Sequence, residues 1–265
     1  MKLGLEGSRA YVTGAATGIG REVVRLLSAE GASVFAVDIA GDLMEEYIET
    51  DGLRDVTPYV ADLSTLDGVQ SATAKFLAVD GLGPDVLVNN VGNGRMLPFE
   101  ALDDDDWHRT FELNFFGMQR TCRELVPLMA ELDSSAVVNV ASDLAVQPES
   151  VFVDYSASKA AMVNLSRSLA QAYAPHVRVN VVNPGPIWTP LWTRPGGFLE
   201  TVEAVYGRKG DEAITALIED RGIPLQRMGT AKEVAQAVVF LASGAASFIT
   251  GSTLGVNGGT VRSAF

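Results

Sequence analysis

The chain has 265 residues, of which 47% are hydrophobic, and a formal net charge of −13 at pH 7. The acidic balance disfavours nucleic acid as a partner because phosphates repel such a surface, and the single cysteine, Cys122, excludes an internal disulfide. No apolar run approaches the length of about 18 residues that spans a membrane, and Met1 to Gly7 lacks the apolar core of a signal peptide. We therefore expect a cytoplasmic protein without membrane or nucleic-acid partners.

Short apolar segments alternate with longer amphipathic segments along the chain. The predicted strands are Arg9–Thr13, Ser33–Val37, Thr57–Val60, Val86–Asn89, Ala136–Val140, Arg178–Val182 and Thr253–Val256. The predicted helices are Gly18–Glu30, Leu66–Val79, Trp107–Leu132, Tyr155–Ala174 and Ala231–Leu241. Several strands are nearly continuous in Val, Ala and Leu, which is typical of a parallel sheet covered on both faces. The alternation predicts one α/β domain over residues 1–265, a doubly wound and mostly parallel sheet of seven strands with helices on both faces.

Three segments depart from the regular alternation. Asp103 to Asp106 precede the helix at Trp107, where acids offset the positive end of the helix dipole, so we expect no metal there. Pro127, late in the same helix, predicts a kink or an early stop. Residues 187–227 are rich in proline and glycine around two short helical pieces. Long irregular segments in compact domains are often lids, so we expect 187–227 to be a substrate-binding insertion.

The first strand runs directly into a glycine-rich loop, Thr13-Gly14-Ala15-Ala16-Thr17-Gly18-Ile19-Gly20, which opens a helix. Such glycines permit a tight turn and let the helix N-terminus approach a pyrophosphate. The second strand ends at Asp38, whose carboxylate can accept hydrogen bonds from an adenosine ribose and would repel a 2′-phosphate. No lysine or arginine lies within Ala15–Ile19 or just after Asp38. The pattern predicts NAD as the cofactor, in preference to NADP.

Tyr155 and Lys159 place a phenol and an ammonium four residues apart, on one face of a predicted helix. An unperturbed tyrosine titrates near pH 10, too high for a base at neutral pH. A fixed positive charge about 5 Å away, at an effective dielectric of about 20, favours the phenolate by roughly 3 kcal/mol. The pair is therefore predicted to transfer protons near neutral pH. A chance pairing on the surface is the alternative interpretation.

With these residues the chain resembles the short-chain dehydrogenase/reductase family over essentially its whole length. The loop is similar to the family's TGxxxGxG, and Ser142 lies 13 residues before Tyr155, the spacing that family members commonly show. Further similarities are Asp62, Asn89-Asn90-Val91-Gly92, Asn114, Ser142, Asn183-Pro184-Gly185-Pro186-Ile187-Trp188-Thr189 and Val256-Asn257-Gly258-Gly259. Val91 and Asn257 replace the family's usual alanine and aspartate. Asp143 follows Ser142 where many relatives carry a small residue, so we expect it to raise the tyrosine pKa or favour a polar substrate.

The resemblance implies a Rossmann-type fold and a hydride exchange between nicotinamide and a carbinol carbon. The implied catalytic residues are Ser142, which donates to the substrate oxygen, Tyr155 as general acid and base, Lys159, which lowers the tyrosine pKa and holds the nicotinamide ribose, and Asn114, which anchors a proton-relaying water. The expected cofactor-binding residues are Gly14, Thr17, Gly18, Ile19, Gly20, Asp38, Asp62, Leu63, Asn89, Val91, Gly92, Tyr155, Lys159, Pro184, Gly185, Ile187 and Thr189. Ser142, Tyr155, Trp188 and Trp192 are expected to contact substrate, although both tryptophans could equally pack a lid or an interface.

The sequence thus predicts an oxidoreductase that uses NAD on a secondary alcohol or ketone, without a metal. One alternative is an NADPH-dependent 3-oxoacyl-(acyl-carrier-protein) reductase, which would require NADP preference and a basic docking patch. An alternative of another class is a silent nucleotide-sensing or structural protein, which would be expected to lose Tyr155, Lys159 or Ser142. Family members are usually tetramers, so we expect a homotetramer or homodimer. Met162, Leu165 and Leu169 could supply the subunit contact or cover the sheet.

Overall fold

A seven-stranded parallel sheet forms the centre of the structure, a computed structural model that describes residues 3–262. Its strands are β1 (Arg9–Thr13), β2 (Ser33–Asp38), β3 (Val56–Val60), β4 (Val86–Asn89), β5 (Ser135–Val140), β6 (Val177–Pro184) and β9 (Thr253–Val256). A separate parallel pair joins β7 (Ile187–Trp188) to β8 (Gly229–Thr230). The order in the main sheet is β3-β2-β1-β4-β5-β6-β9. The chain therefore moves outward from β1 to β3 and then returns to β4 beside β1, which makes a Rossmann-type switch point between β1 and β4.

Ten α-helices of the described chain connect the strands. They are α1 (Gly18–Ala29), α2 (Gly41–Thr50), α3 (Leu66–Leu77), α4 (Asp104–Phe111), α5 (Gly117–Met129), α6 (Val153–Tyr173), α7 (Pro190–Thr193), α8 (Phe198–Tyr206), α9 (Gly210–Asp220) and α10 (Ala231–Ala242). Across residues 3–262, no helix combines the length and the apolar character needed to cross a bilayer.

Two apolar cores lie on opposite faces of the sheet because successive strand residues point to opposite sides. On one face, Val12 of β1 belongs to a core with residues of α1 and α10 such as Val24 and Val238. On the other face, Tyr11 belongs to a core with residues of α3, α5 and α6. Met162 lies in this second core, with Leu165 and Leu169 packed against it. These three residues of α6 therefore cover the sheet, the second of the two roles that the sequence left open.

The seven predicted strands are confirmed within two residues at each end, whereas one predicted helix is wrong. Trp107–Leu132 is divided into α4, a π-helical turn at Glu112–Phe116, and α5. Asp103 caps α4 in a capping box with Asp106, so the helix begins before Trp107. The helix α5 ends at Met129, shortly after Pro127, in agreement with the early stop that this proline predicts. Residues 187–227 form three helices, α7 to α9. The sequence does not predict α2, because this polar helix buries only Met44 and Tyr47.

Arg178 of β6 closes the end of α10. Its guanidinium donates to the carbonyl oxygens of Leu241 at 2.9 Å, Ser243 at 3.0 Å, Ile249 at 3.3 Å and Ala242 at 3.4 Å. The last carbonyls of a helix lack partners within the helix, and a cation there stabilises the negative end of its dipole. Burial lowers the pKa of Arg178. The side chain thus attaches β6 to α10 and to the turn that follows it.

The Arg178→Leu variant is expected to lower the free energy of unfolding by about 3 kcal/mol, because it leaves buried carbonyls without donors. Urea denaturation followed by circular dichroism measures the change. The Arg178→Lys variant keeps a charge but fewer donors, so its loss should be smaller. Equal stability of the leucine variant and the parent would contradict the proposed cap.

Candidate active site

A cavity of about 620 Å³ opens at the carboxyl ends of the sheet strands, where the strand order reverses. Ligands of doubly wound sheets bind at this position. The volume lies within the range of about 300–1,000 Å³ that is typical of small-molecule sites. One side of the cavity is lined by the loops after β1, β2, β4, β5 and β6, and the other by residues of the 187–227 segment. The fold therefore brings the predicted nucleotide loop and the predicted lid to one site.

The glycine loop after β1 has the backbone that the sequence predicts. Gly14 and Gly18 adopt φ angles of 64° and 55°, a region that favours glycine. A Cβ on Gly14 would lie 2.8 Å from Asn90 Nδ2. The helix α1 begins at Gly18, so its first N–H groups, which have no partner within the helix, lie at the cavity. Gly20 does not line the cavity; a Cβ there would collide with the carbonyl of Gly14, so this glycine allows α1 to pack on the loop.

Asp38 lies at the end of β2 and lines the cavity. Its Oδ2 accepts from the N–H of Ala16 at 3.0 Å and its Oδ1 from the N–H of Ala40 at 3.1 Å. The cationic side chains that line the cavity in the described chain are Lys159, Arg194 and Arg221. Among the contacts of residues 3–262, none of these forms a hydrogen bond or ion pair with Asp38. The carboxylate is thus held at the rim with its charge uncompensated by a neighbouring side chain.

The structure does not bring the side chain of Asn89, a predicted cofactor contact, to the cavity. Its buried side chain donates from Nδ2 to Asn139 Oδ1 of the neighbouring strand β5 at 2.8 Å and lies outside the cavity. The following residue, Asn90, lines the cavity instead, and its Nδ2 donates to the carbonyl of Gly14 at 3.0 Å. Because neighbouring residues of a strand point to opposite faces, only one of two adjacent asparagines can reach the site. The sequence does not show which one does.

The remaining predicted cofactor residues line the cavity at the places that the resemblance implies. They are Thr17, Gly18, Ile19, Asp62, Leu63, Val91, Gly92, Pro184, Gly185, Ile187 and Thr189. A glycine is needed at position 92 for a steric reason, since a Cβ on Gly92 would lie 2.7 Å from Lys159 Nζ. Any larger residue would displace the lysine.

Ser142, Tyr155 and Lys159 meet at one wall of the cavity. Ser142 follows β5, whereas Tyr155 and Lys159 lie one turn apart on α6. Lys159 is buried, its Nζ donates to the carbonyl of Val140 at 3.0 Å, and the same Nζ lies 5.7 Å from the Tyr155 ring centroid. The i, i+4 spacing therefore places both groups on one face, as the sequence predicts.

The expected pKa of Tyr155 is wrong in direction. Although part of the side chain faces the cavity, its pKa is raised to about 12, mainly by burial and also by the charge of Asp143, while the neighbouring Ser142 hydroxyl opposes the shift. Burial lowers the pKa of Lys159 to about 8. Desolvation by the surrounding protein thus outweighs the attraction between the two groups. Tyr155 is a phenol at neutral pH, while the predicted effect of Asp143 on the tyrosine is confirmed in direction.

Asn114 lies in the π-helical turn and outside the cavity wall. Its Oδ1 accepts from the N–H of Asn93 at 2.9 Å, and its Nδ2 donates to the carbonyl of Asn93 at 2.9 Å and to Ser158 Oγ at 3.1 Å. A π turn, which is frequent at functional sites, adds one residue and turns this side chain inward. The amide therefore joins the loop after β4 to α6, a positional role distinct from the predicted water relay.

The segment 187–227 contributes both apolar and charged groups. Trp192 is buried and lines the cavity. Trp188, the other predicted substrate contact, is 44% exposed and lies outside the cavity, stacked on Trp192 with ring centroids 6.2 Å apart. Sequence analysis missed Asn93, Glu149, Arg194 and Arg221, which also line the cavity. Arg221 contacts Asp143 across a separation of 78 residues, which no local pattern indicates.

A family model described as "Enoyl-(Acyl carrier protein) reductase" matches residues 14–261. An uncharacterized oxidoreductase of Bacillus subtilis is 34% identical over 99% of this chain and 100% of its own length. A 3-oxoacyl-(acyl-carrier-protein) reductase of Thermotoga maritima is 33% identical over 97% of this chain and 99% of its length.

Solved structures are similar over the same extent. L-sorbose reductase of Gluconobacter frateurii, complexed with NADPH and L-sorbose, has a TM-score of 0.89 and 30% identity, covering 99% of this chain and 100% of its own. Aldohexose dehydrogenase of Thermoplasma acidophilum has a TM-score of 0.83 and 30% identity, covering 98% and 97%. The chain therefore belongs to the short-chain dehydrogenase/reductase family, as an oxidoreductase with an NAD(P) cofactor.

Proposed function

We propose that the protein is an NAD-dependent oxidoreductase that interconverts a secondary alcohol and a ketone. The supporting observation is the convergence of Ser142, Tyr155 and Lys159 at one wall of a cavity whose other wall carries the glycine loop and Asp38. Ser142, Tyr155 and Lys159 can transfer a proton, and the glycine loop and Asp38 can bind a dinucleotide. A silent nucleotide-sensing protein would not need the three proton-transfer residues.

The residues of the cavity fit a dinucleotide. The free N–H groups at the start of α1 suit a pyrophosphate, and the carboxylate of Asp38 suits a ribose diol. The resemblance assigns Asp62 to the adenine, Lys159 to the nicotinamide ribose and Thr189 to the carboxamide. When bound, the nicotinamide supplies or accepts the hydride. The protein must then position the substrate carbon and donate or accept one proton.

Tyr155 donates or accepts that proton, according to the direction of the reaction. In ketone reduction its phenol donates the proton to the forming alkoxide, and in alcohol oxidation its phenolate accepts the hydroxyl proton. The phenol form prevails at neutral pH because burial raises the pKa. Lys159 contributes a buried positive charge on the same helix face and lies beside the carbonyl of Val140. A bound oxidised nicotinamide adds a further positive charge, which favours the phenolate in that complex.

Alcohol oxidation is expected to accelerate with pH, because it needs the phenolate of a group whose pKa lies at about 12. The kcat/KM for oxidation should rise by up to about tenfold per pH unit from neutral pH, whereas ketone reduction, which uses the abundant phenol, should change little until Lys159 loses its charge. Parallel pH profiles in the two directions measure this. A kcat/KM for oxidation that does not change with pH above neutral pH would contradict the assignment of Tyr155 as the base.

A polar substrate is supported by two observations. Asp143, Glu149 and Arg221 place charged groups on the cavity wall beside Ser142. Two solved relatives are named for sugar substrates, L-sorbose and an aldohexose. We propose residues 187–227 as the lid over this substrate, since Trp192, Phe198 and Leu217 of the segment line the cavity. The proposed subunit assembly is a homotetramer or homodimer.

The second candidate function is an NADPH-dependent 3-oxoacyl-(acyl-carrier-protein) reductase. The relative of Thermotoga maritima favours it, and the description of the family model also names an acyl-carrier-protein substrate. Asp38 and the net charge of −13 disfavour it, because both repel phosphate groups. A screen of alcohols, polyols, ketones and 3-oxoacyl thioesters with NAD(H) and NADP(H), followed by reduced-nicotinamide absorbance, separates the candidates. Turnover of thioesters with NADPH alone would replace the first proposal by the second.

A further inference from the structure

Three charged side chains lie together on the wall of the cavity next to Ser142. Arg221, directly after α9, has Nε 2.8 Å from Glu149 Oε1 and Nη2 3.1 Å from Asp143 Oδ2. The side chains of Arg221, Asp143 and Glu149 are 12%, 3% and 34% exposed. All three line the cavity. The cluster therefore joins the loop between β5 and α6 to the 187–227 segment at the part of the cavity where the substrate is expected.

The stability of the fold does not account for this cluster. Removal of charged groups from water costs free energy, and a buried ion pair is often no more stabilising than apolar residues of similar volume. Phe152, Phe198 and Leu217 of the same two segments line the cavity with apolar side chains. Further apolar residues would complete the wall without buried charges, so the presence of the charges indicates a polar ligand.

The cluster has hydrogen-bonding groups that the protein does not use. A guanidinium has five N–H donors, and an ionised carboxylate has two acceptor oxygens. Among the hydrogen bonds of residues 3–262, that of the Arg221 side chain runs from Nη2 to Asp143, while Nη1 of Arg221 and the Glu149 carboxylate take part in none. Nε of Arg221 is buried and has no well-aligned acceptor among the same residues, although Glu149 Oε1 is close. The pair thus retains donors and acceptors for a ligand in the cavity.

The charges of the cluster favour a neutral ligand that carries hydroxyl groups. Two acidic side chains surround one basic side chain, so a carboxylate or a phosphate would meet an excess of negative charge. A hydroxyl can both donate and accept, so it can donate to Glu149 and accept from Arg221 at the same time. Hydrogen bonds to ionised groups are stronger than those between neutral groups.

We propose that Glu149 and Arg221 form a subsite for a second hydroxyl of the substrate, which makes the substrate a neutral polyol or sugar. The proposal rests on the proposed function, in which Ser142 and Tyr155 contact the oxygen that is oxidised or reduced, and it leaves their roles unchanged. The subsite lies close to that oxygen, because Asp143 Oδ1 is 3.2 Å from Ser142 Oγ. Asp143 is a positioning residue, since its other carboxylate oxygen holds Arg221.

Alcohols that differ in one group test the subsite in the parent enzyme. Isopropanol, propylene glycol and lactate carry a methyl, a hydroxymethyl and a carboxylate group beside the same carbinol carbon, and cyclohexanol and ribitol extend the two neutral classes to larger substrates. The kcat/KM for oxidation, measured with NAD and with NADP, should be at least about tenfold higher for the polyol than for the monohydric alcohol in each size class. A site that binds a substrate hydroxyl rejects the analogue without it. Lactate should be the poorest of the three small substrates.

Two substitutions of Glu149 should lower the ratio of kcat/KM for ribitol over cyclohexanol in steps. Glu149→Gln keeps the shape and one acceptor oxygen but removes the charge, so the ratio should fall about threefold. Glu149→Leu removes both acceptors and should abolish the preference. Structural damage would lower both kcat/KM values and leave their ratio unchanged. The matched control is Glu200→Gln, because Glu200 of α8 accepts from the N–H of Gly196 at 3.1 Å and does not line the cavity.

The outcomes separate the subsite from the proposed function. Equal kcat/KM for polyols and monohydric alcohols in the parent, or an unchanged ratio in the Glu149 variants, would overturn the subsite and leave the proposed function intact. A preference for lactate would overturn it in favour of an anionic substrate. Absence of turnover by the parent with any alcohol or ketone and either cofactor would overturn the proposed function, and the inference with it. If Glu149→Leu does not fold, as judged by circular dichroism, the parent and Glu149→Gln decide.

Discussion

The Tyr155→Phe variant is expected to lose alcohol and ketone turnover by about a thousandfold while it still binds NAD, because a positioned acid or base contributes about 10²- to 10⁴-fold. The substitution removes only the hydroxyl that exchanges the proton. The ring remains against Gly94, where a Cβ on the glycine would lie 2.9 Å from Tyr155 Cδ2. The shape of the cavity wall is therefore preserved, and the loss reports the chemistry of the phenol.

The measurement is kcat/KM in both directions, together with NAD affinity by calorimetry. Tyr173→Phe is the matched control, since Tyr173 ends the same helix α6, packs against an apolar core and does not line the cavity. This control should keep both turnover and affinity. If Tyr155→Phe retained turnover within tenfold of the parent, Tyr155 would not be the acid and base.

The parts of the site that sequence analysis predicted are those encoded by neighbouring residues. The glycine loop joins β1 to α1 without interruption, and Tyr155 and Lys159 share one helix face. The apolar strands were equally readable, since a strand buried on both faces needs nearly continuous apolar residues. In each case the chemistry follows from a spacing along the chain, so no knowledge of tertiary contacts is required.

The parts that sequence analysis missed depend on contacts across the fold. Arg221 reaches Asp143 over 78 residues, and only the packing of α9 on the cavity brings them together. The pKa of Tyr155 was misjudged for a related reason. An effective dielectric of about 20 describes a pair near the protein surface, whereas both groups are desolvated by the surrounding chain. The extent of burial is a tertiary property that the spacing of two residues does not contain.

Cofactor choice is expected to depend on the single charge of Asp38. The Asp38→Ala variant should weaken NAD about tenfold and raise the ratio of kcat/KM for NADP over NAD at least about a hundredfold. A unit charge 4 Å from another costs roughly 4 kcal/mol at an effective dielectric of about 20, and solvent screening reduces this value. Steady-state kinetics with both cofactors measures the ratio. The effect should weaken at high ionic strength, as expected of a charge at the cavity rim.

Asp38 also supports the loop, since its two oxygens accept from the N–H groups of Ala16 and Ala40. The Asp38→Asn variant separates this role from the charge, because it keeps one acceptor oxygen and removes the negative charge. If charge decides, the asparagine variant should accept NADP nearly as well as the alanine variant and should hold NAD better. If both variants kept the parent's preference, selectivity would lie elsewhere in the cavity. The main argument against an NADPH-dependent acyl reductase would then no longer hold, because Asp38 is the residue that most directly disfavours a 2′-phosphate.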